Sequence, residues 1–366
     1  MKISTFISTS ALSLSLLLAG CGSKEVGTTG EKKENNSLTV YTTIYPLEDF
    51  TKKIGGSYVE VKSIYPPNVD AHSFEPSTKD MVALANSDLF IYTGVGIEGF
   101  AEEAAEALKK ENVEILQAAD GIELLESTHS EEEHHEEEST HTEEHADEGQ
   151  TEEHAHTEEE HEHGDVDPHV WLDPLLSISL AENIKNSLSE LMPEHTSEFE
   201  ANYNQVKSDL EKLDQEFKQT VDGSKTKHIL VAHSAYGYWE KRYGIIEIPI
   251  SGLSPTQEPS QKELQEIIAE STEHNIRYVI FEQNVSPKVA EIIQKEIGAA
   301  SLTLHNIESL TEDDIKQKED YFSIMRQNLS TIKTAFEKLK TNKLTTPIFS
   351  YIPAYFLAAG IFLSEI

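Results

Sequence analysis

The sequence contains very little cysteine and few basic residues. Cys21 is the one cysteine in 366 residues, which excludes an intramolecular disulfide and a zinc site built from several thiolates. The 29 Lys and Arg stand against 66 Asp and Glu, so the formal net charge is −37. Because nucleic acids and anionic membranes are bound through basic patches, this charge argues against both as partners. A cation ligand is compatible with it, although the charge alone indicates no more than a solvated acidic surface.

The N-terminus carries an export signal. Lys2 gives a short positive region, residues 11–19 are mostly apolar, and the motif LAGC then ends at Cys21. This pattern resembles a lipobox, so residues 1–20 are predicted to be a lipoprotein signal peptide and Cys21 to carry the lipid. Residues 21–37 are polar and glycine-containing, which predicts a flexible tether. The alternative is an ordinary signal peptide that ends near a cysteine, and both interpretations predict an exported protein.

The fold class follows from alternating strand and helix patterns. Short apolar runs alternate with amphipathic helical patterns over residues 38–116, and a similar series begins near residue 222. This alternation predicts an α/β protein with two lobes, each a mostly parallel sheet flanked by helices. The boundaries we predict are an N-terminal lobe at 38–193, a connecting helix at 194–221 and a C-terminal lobe at 222–343.

A His- and Glu-rich loop, predicted at residues 126–165, interrupts the N-terminal lobe. Residues 129–163 hold nine of the 16 histidines and no Lys or Arg. The loop has too few apolar residues for a core, so we expect it to be disordered without metal. We expect weak accessory zinc binding by His129, His134, His135, His141, His145, His154, His156, His161 and His163. The alternative is a solvated loop that binds zinc incidentally.

Three other histidines have settings typical of a ligand site. His72 in DAHSFEPS follows a predicted strand, His233 in VAHSAYGYW ends one, and His169 lies in the proline-bounded DPHVWLDP. Glu308 also follows a predicted strand, and ligands of open α/β sheets bind beyond the carboxyl ends of strands. Three imidazoles and one carboxylate suit Zn²⁺ in four-coordinate geometry. Taken singly, each histidine is more often a hydrogen-bonded loop residue, so the inference depends on the joint pattern.

These motifs, with GLSPTQEPS and NIESLTEDD, occur in an order that resembles one family. It comprises the substrate-binding lipoproteins of bacterial ATP-binding-cassette (ABC) zinc and manganese importers, of the AdcA and ZnuA type. The resemblance covers about residues 38–340 and includes the His-rich insertion before DPHVWLDP. It implies two α/β lobes joined by one long rigid helix, with the metal in the cleft between them.

The resemblance also implies the metal ligands. Carried over by motif, they are His72, His169, His233 and an acidic residue that falls on Glu308; the rivals for the fourth position are Glu282, Asp313 and Asp314. Manganese relatives tend to have a carboxylate where this chain has His233, so the predicted ion is Zn²⁺.

The residue that orients His169 is a separate question. Asp173 is a candidate to accept a hydrogen bond from the second ring nitrogen of His169. Its alternative role is to cap the helix that follows Pro174.

The expected function is capture of Zn²⁺ for an ABC permease and its ATPase by a lipid-anchored monomer. We expect it on the outer face of the cytoplasmic membrane, in a Gram-positive bacterium, where it does not act as an enzyme. A zinc hydrolase would need an open coordination position, and neither HExxH nor GxSxG occurs in the sequence. The alternatives are a manganese-binding homologue and, with less support, a lipoprotein hydrolase or a surface adhesin.

The C-terminal end departs from the family. Some longer relatives continue into a second zinc-binding domain of the ZinT type, whereas residues 344–366 form an apolar tail interrupted by Pro353. We interpret the tail as a frameshifted remnant, the alternatives being a marginal membrane contact or a packed tail.

Overall fold

This computed structural model describes residues 37–126, 166–284 and 287–337. These residues contain two four-stranded parallel sheets. The N-terminal sheet has the spatial order β2-β1-β3-β4. Its strands are β1 (Leu38–Thr42), β2 (Val59–Ser63), β3 (Leu89–Tyr92) and β4 (Glu114–Gln117). The helices between them are α1 (Tyr45–Gly55), α2 (Thr78–Leu84) and α3 (Ala101–Leu108). Ser77 and Asp80 form a capping box at the start of α2.

A short antiparallel pair closes the N-terminal half. Strand β5 (Leu125–Glu126) pairs with β6 (Val166–Asp167), on the two sides of residues 127–165. The Tyr238 hydroxyl joins both strands, because it accepts from Leu125 N at 3.2 Å and donates to Asp167 O at 2.9 Å. The residues on the two sides of segment 127–165 are therefore held next to each other.

Two long helices connect the halves. Helix α4 (Pro174–Leu191) and helix α5 (Thr196–Asp222) pack against each other, and a 3₁₀ turn, Pro193–His195, lies between them. The 27 residues of α5 confirm the predicted long helix. Its buried apolar residues recur every three or four positions and form one core-facing stripe: Phe199, Tyr203, Val206, Leu210, Leu213, Phe217 and Val221.

The C-terminal sheet has the spatial order β10-β9-β7-β8. Its strands are β7 (His228–His233), β8 (Ile246–Ser251), β9 (Tyr278–Glu282) and β10 (Ala300–Leu304). The associated helices are α6 (Gly237–Tyr243), α7 (Gln261–Glu273), α8 (Lys288–Ile297), α9 (Glu312–Gln317) and α10 (Tyr321–Phe336).

The main hydrophobic core is shared by both halves of the chain. It runs from β1 and β3 through α1, α4 and α5 to β7 and α10. A smaller core lies between the C-terminal sheet and helices α7 and α8, and includes Leu230, Ile248, Val279 and Ile293. Because one continuous core joins both sheets to the long helices, residues that follow the strand ends are held on a common rigid frame.

The α/β class and the parallel sheets are confirmed, whereas the lobe boundaries at 193 and 222 stay predictions. Helices α6 and α9 and the β5–β6 pair were not predicted from the sequence. The signal peptide, the tether to residue 36, the His-rich segment 129–163 and the tail 344–366 lie outside the described residues. None of the described helices is both long enough and apolar enough to cross a membrane.

Candidate metal centre

Four potential metal ligands lie at a strand end or in the loops that follow strands. His233 is the last residue of β7, Glu308 follows β10, and His72 lies in the loop between β2 and α2. His169 precedes a 3₁₀ turn, Val170–Leu172, directly before α4. Because parallel strands end at the same edge of a sheet, this topology brings the loops of both halves together.

The structure places these four side chains in one cluster. One potential ligand atom from each lies within 4.8 Å of the other three. Nε2 of His169 is 3.4 Å from Nε2 of His233, and Nε2 of His72 is 3.8 Å from Oε1 of Glu308. Ligands of a tetrahedral zinc ion at about 2.0–2.1 Å are about 3.3–3.4 Å apart, so the histidine pair already has that spacing.

The cluster is buried and includes side-chain atoms that lack hydrogen-bond partners. His169, His233 and Glu308 are at most 1% exposed, and the His72 side chain is 13% exposed. Nε2 of His72 and Oε1 of Glu308 are buried with no hydrogen-bond partner. Since buried polar atoms are nearly always paired, two such atoms in one cluster indicate a place for a cation.

His169 is oriented by Asp167. Oδ1 of Asp167 accepts from the backbone N of His169 at 2.9 Å and contacts its Nδ1 at 2.8 Å. A carboxylate facing Nδ1 favours a proton there, which leaves the Nε2 lone pair free to face the cluster.

Asp173 does not have this role, and its assignment to His169 is corrected here. Its Oδ1 accepts from the backbone N of Leu175 and Leu176 at 2.8 and 3.3 Å, and its Oδ2 pairs with Arg242. Asp173 is therefore the N-cap of α4, the alternative that the sequence left open.

His233 is held in the same manner by Glu282. The Glu282 carboxylate contacts Nδ1 of His233, and the amide of Asn306 donates to its other oxygen at 2.9 Å. Glu282 ends β9, the neighbour of β7 in the sheet, so the strand pairing sets this contact. Glu282 thus lies behind His233, on the side of the ring that faces away from His169.

The other two rivals for the fourth position have partners elsewhere. Oδ2 of Asp314 lies 3.1 Å from Nε2 of His305 and accepts from the backbone N of Thr311 at the start of α9. Asp313 pairs with Lys316 on the surface and is 79% exposed. Neither belongs to the four-residue cluster.

Glu308 is held between the two halves of the chain. Its Oε2 accepts from the backbone N of Ala71 at 3.0 Å, and its backbone O accepts from Tyr45 N at 3.0 Å. Since Ala71 precedes His72, the same carboxylate fixes the His72 loop with one oxygen and presents the other to the cluster.

Burial and neighbouring charges shift the protonation of the cluster. Burial lowers the pKa of His72 to about 2, and the nearby imidazoles of His169 and His233 add to the shift. Burial also acts to lower the pKa of His233, but the Glu282 and Glu308 carboxylates raise it to about 9. Burial and the Glu282 charge raise the pKa of Glu308 to about 8, although His233 opposes them. These raised pKa values favour bound protons on His233 and Glu308.

Sequence reasoning missed Asp167 and Asn306 and assigned Glu282 only as a rival ligand. The signal for Asp167 is its place two residues before His169, within reach of both the backbone N and Nδ1. The role of Glu282 depends on β9 lying beside β7, an order that local sequence patterns do not specify.

Two groups of predicted functional residues lie outside the described residues. They are Cys21 and the nine histidines of segment 129–163. Their assignments stay predictions.

A family model described as "Zinc-uptake complex component A periplasmic" (ZnuA) matches residues 40–335. The zinc-binding protein AdcA of Streptococcus pyogenes is 34% identical over 81% of the chain, which spans 55% of that protein. The high-affinity zinc uptake system protein ZnuA of Bacillus subtilis is 34% identical over 87% of the chain and 93% of its own length. The chain thus spans little more than half the length of the AdcA relatives.

The fold comparison agrees with the sequence comparison. The Zn(II)-bound ZnuA-like domain of Streptococcus pneumoniae AdcA superposes with a TM-score of 0.64 at 30% identity. The match covers 82% of this chain and all of that domain. By its matched residues, its identity to these relatives and its fold, the chain belongs to the family of the periplasmic component A of the zinc-uptake complex.

Proposed function

We propose that the protein captures Zn²⁺ outside the cytoplasm and delivers it to an ABC importer. The observation that carries the proposal is the buried cluster of three imidazoles and one carboxylate, whose ligand atoms lie within 4.8 Å of one another. In it, Nε2 of His72, His169 and His233 and Oε1 of Glu308 bind one zinc ion in tetrahedral geometry.

Four protein ligands favour binding over catalysis. A catalytic zinc ion needs one coordination position for water or substrate, and four side chains leave none. The second ring nitrogens of His169 and His233 contact the carboxylates of Asp167 and Glu282. We therefore propose a binding protein rather than a hydrolase.

The imidazole of His233 favours zinc over manganese. Borderline nitrogen ligands suit Zn²⁺, whereas a site with a second carboxylate would be harder and would suit Mn²⁺ better. Glu282 increases the basicity of His233 without entering the cluster, because it contacts the opposite ring nitrogen. A manganese-binding homologue is the alternative that this difference argues against.

The cellular setting follows from the N-terminus and the family. We propose that a lipid on Cys21 anchors the protein to the outer face of the cytoplasmic membrane of a Gram-positive bacterium. Its partners there are the permease and the ATPase of an ABC importer, and it acts as a monomer. We propose no nucleic-acid partner, since the net charge is −37.

The accessory histidines at positions 129–163 collect zinc near His169, which is only six residues beyond His163. Segment 127–165 is joined to the described structure through β5 and β6, and Asp167 at the end of β6 contacts His169. A local supply of weakly held zinc would therefore lie close to His169. Deleting residues 129–163 should remove weak binding and leave one tight site; loss of the tight site would contradict this role.

A zinc titration tests the proposed function. Competition with a chelating dye should give one tight Zn²⁺ site in the wild type, and His233→Ala should weaken it by more than about tenfold, because one of four ligands is lost. His274→Ala is the matched control, since His274 stacks on His228 and does not belong to the cluster. It should bind as the wild type does. Wild-type affinity in His233→Ala would exclude the site.

A further inference from the structure

Asn306 contacts both Glu282, which orients His233, and the backbone of Glu308. Its side-chain nitrogen donates to Oε2 of Glu282 at 2.9 Å, and Glu282 contacts His233. Its side-chain oxygen accepts from the backbone N of Glu308 at 3.3 Å and from Nε2 of Gln283 at 3.0 Å. The residue is 1% exposed, so water does not compete for these bonds.

The backbone around Asn306 is in a conformation that needs support. Ile307 has a φ of 65° and is fully buried, and a β-branched residue rarely adopts this left-handed conformation. Such a conformation is strained and persists only where neighbouring contacts fix it.

Contacts on both sides of Ile307 provide that support. Asn328 accepts from His305 N and donates to His305 O, both at 2.8 Å. The indole of Trp171 donates to Asn306 O at 2.8 Å. Contacts from α10 and from the segment before α4 therefore hold the turn that directs Glu308 toward the cluster.

We propose that Asn306 is a positioning residue that sets His233 and Glu308 in mutual register for zinc. This inference rests on the proposed function of the cluster. An amide is suited to the role because it donates from one atom and accepts at the other. A carboxylate of the same shape could still accept from Glu308 N but could not donate to Glu282.

Asn306→Asp is the direct test. The substitution keeps the side-chain shape and places a carboxylate against that of Glu282. Because the two carboxylates repel each other, both Glu282 and the backbone of Glu308 should be displaced. We expect Zn²⁺ affinity, measured by chelator competition, to fall about 10–100-fold, the usual cost of losing a group that orients a metal ligand. The visible spectrum of bound Co²⁺ should also change, because the ligand geometry changes.

A second substitution reverses the hydrogen bond. In Asn306→Asp/Glu282→Gln the amide stands at position 282 and the carboxylate at 306, so donor and acceptor are exchanged. We expect the double variant to recover at least a third of the loss in log affinity and a Co²⁺ spectrum closer to that of the wild type. A double variant in which the two losses simply add would overturn the proposal.

Asn183→Asp is the matched control. It removes the same kind of side-chain donor, but the amide of Asn183 donates to Ala118 O at 2.9 Å and Asp120 O at 3.0 Å rather than to Glu282. We expect lower thermal stability with zinc affinity within about threefold of the wild type; an affinity loss equal to that of Asn306→Asp would overturn the proposal. Wild-type affinity in Asn306→Asp would overturn it too while leaving the proposed function intact. The proposed function fails separately, if His233→Ala still binds tightly.

Discussion

At the scale of single residues, two imidazoles have the same arrangement. In His169 and His233 a carboxylate contacts Nδ1, while the two Nε2 atoms face each other at 3.4 Å. The carboxylates belong to Asp167 and Glu282, both about 5% exposed. Such pairs fix the ring orientation and increase the basicity of the ligating nitrogen.

The different roles of Asp167 and Asp173 can be separated by the same substitution. We expect Asp167→Ala to weaken zinc binding about 10–100-fold, because His169 loses the group that orients it. Asp173→Ala should leave zinc affinity nearly unchanged and lower the free energy of unfolding by about 1 kcal/mol, because α4 loses its N-cap. Chelator competition and urea unfolding measure the two effects. The opposite pattern would return Asp173 to the role that the sequence suggested.

Zinc binding should release protons at neutral pH. The raised pKa values of His233, about 9, and Glu308, about 8, mean that both groups hold protons that zinc must displace. Apparent affinity should therefore rise with pH through neutrality and level off above pH about 9, with about one to two protons released per ion at pH 7. His72 contributes none, since its pKa is about 2.

Calorimetry in buffers of different ionisation enthalpy counts these protons. Glu282→Gln removes the carboxylate that does most to raise the pKa of His233, so it should reduce proton release at pH 8. An affinity that does not change between pH 6 and pH 9 would contradict this assignment.

At the scale of elements, features that depend on residues close in sequence could be predicted, whereas roles that depend on distant contacts could not. The strand that ends at His233 depends on a local pattern, and the structure has it where it was predicted. His72, His233 and Glu308 were candidates because each was expected at or after a strand end, and His169 because it lies in a proline-bounded loop. The resemblance to the family then implied all four as a set. Glu282 and Asn306 acquire their roles from strand order and from a turn with positive φ at Ile307, which short-range patterns do not specify.

Gly237, the first residue of α6, lies against Asp167, the residue that orients His169. A Cβ atom at Gly237 would be 2.7 Å from Oδ2 of Asp167, too close for any side chain. We expect Gly237→Ala to displace Asp167 and weaken zinc binding several-fold, as measured by chelator competition.

Gly223→Ala serves as the control for this substitution. It lies at the end of α5 with φ −73°, and an added Cβ would be no closer than 3.5 Å to another atom. It should bind zinc normally and should not lose stability. Equal zinc affinity in Gly237→Ala would show that Asp167 can move without cost to His169.

At the scale of the whole molecule, the cluster joins distant parts of the chain. His72 and His169 precede α5, whereas His233 and Glu308 follow it. Direct contacts such as Ala71 N to Glu308 Oε2 already connect the two halves at this point. A bound ion would therefore link both sheets through their own side chains.

Removing the metal should destabilise the whole fold. A ligand that binds only the native state adds about 4.1 kcal/mol when its concentration is 1,000 times Kd. We expect saturating zinc to raise the melting temperature, EDTA to reverse the increase, and His233→Ala to lose most of it. Differential scanning calorimetry measures all three. A melting temperature that zinc does not alter would mean that the ion does not bind to the native cluster.

We propose that Nε2 of His72, His169 and His233 and Oε1 of Glu308 form one zinc site. A crystal structure of the zinc-loaded protein, with anomalous diffraction measured at the zinc edge, tests this proposal. We expect one strong peak at about 2.0–2.2 Å from all four atoms, with no water in the coordination sphere. A strong peak elsewhere, or an ion at this cluster that lacks His233 or Glu308 and holds water in its place, would contradict it.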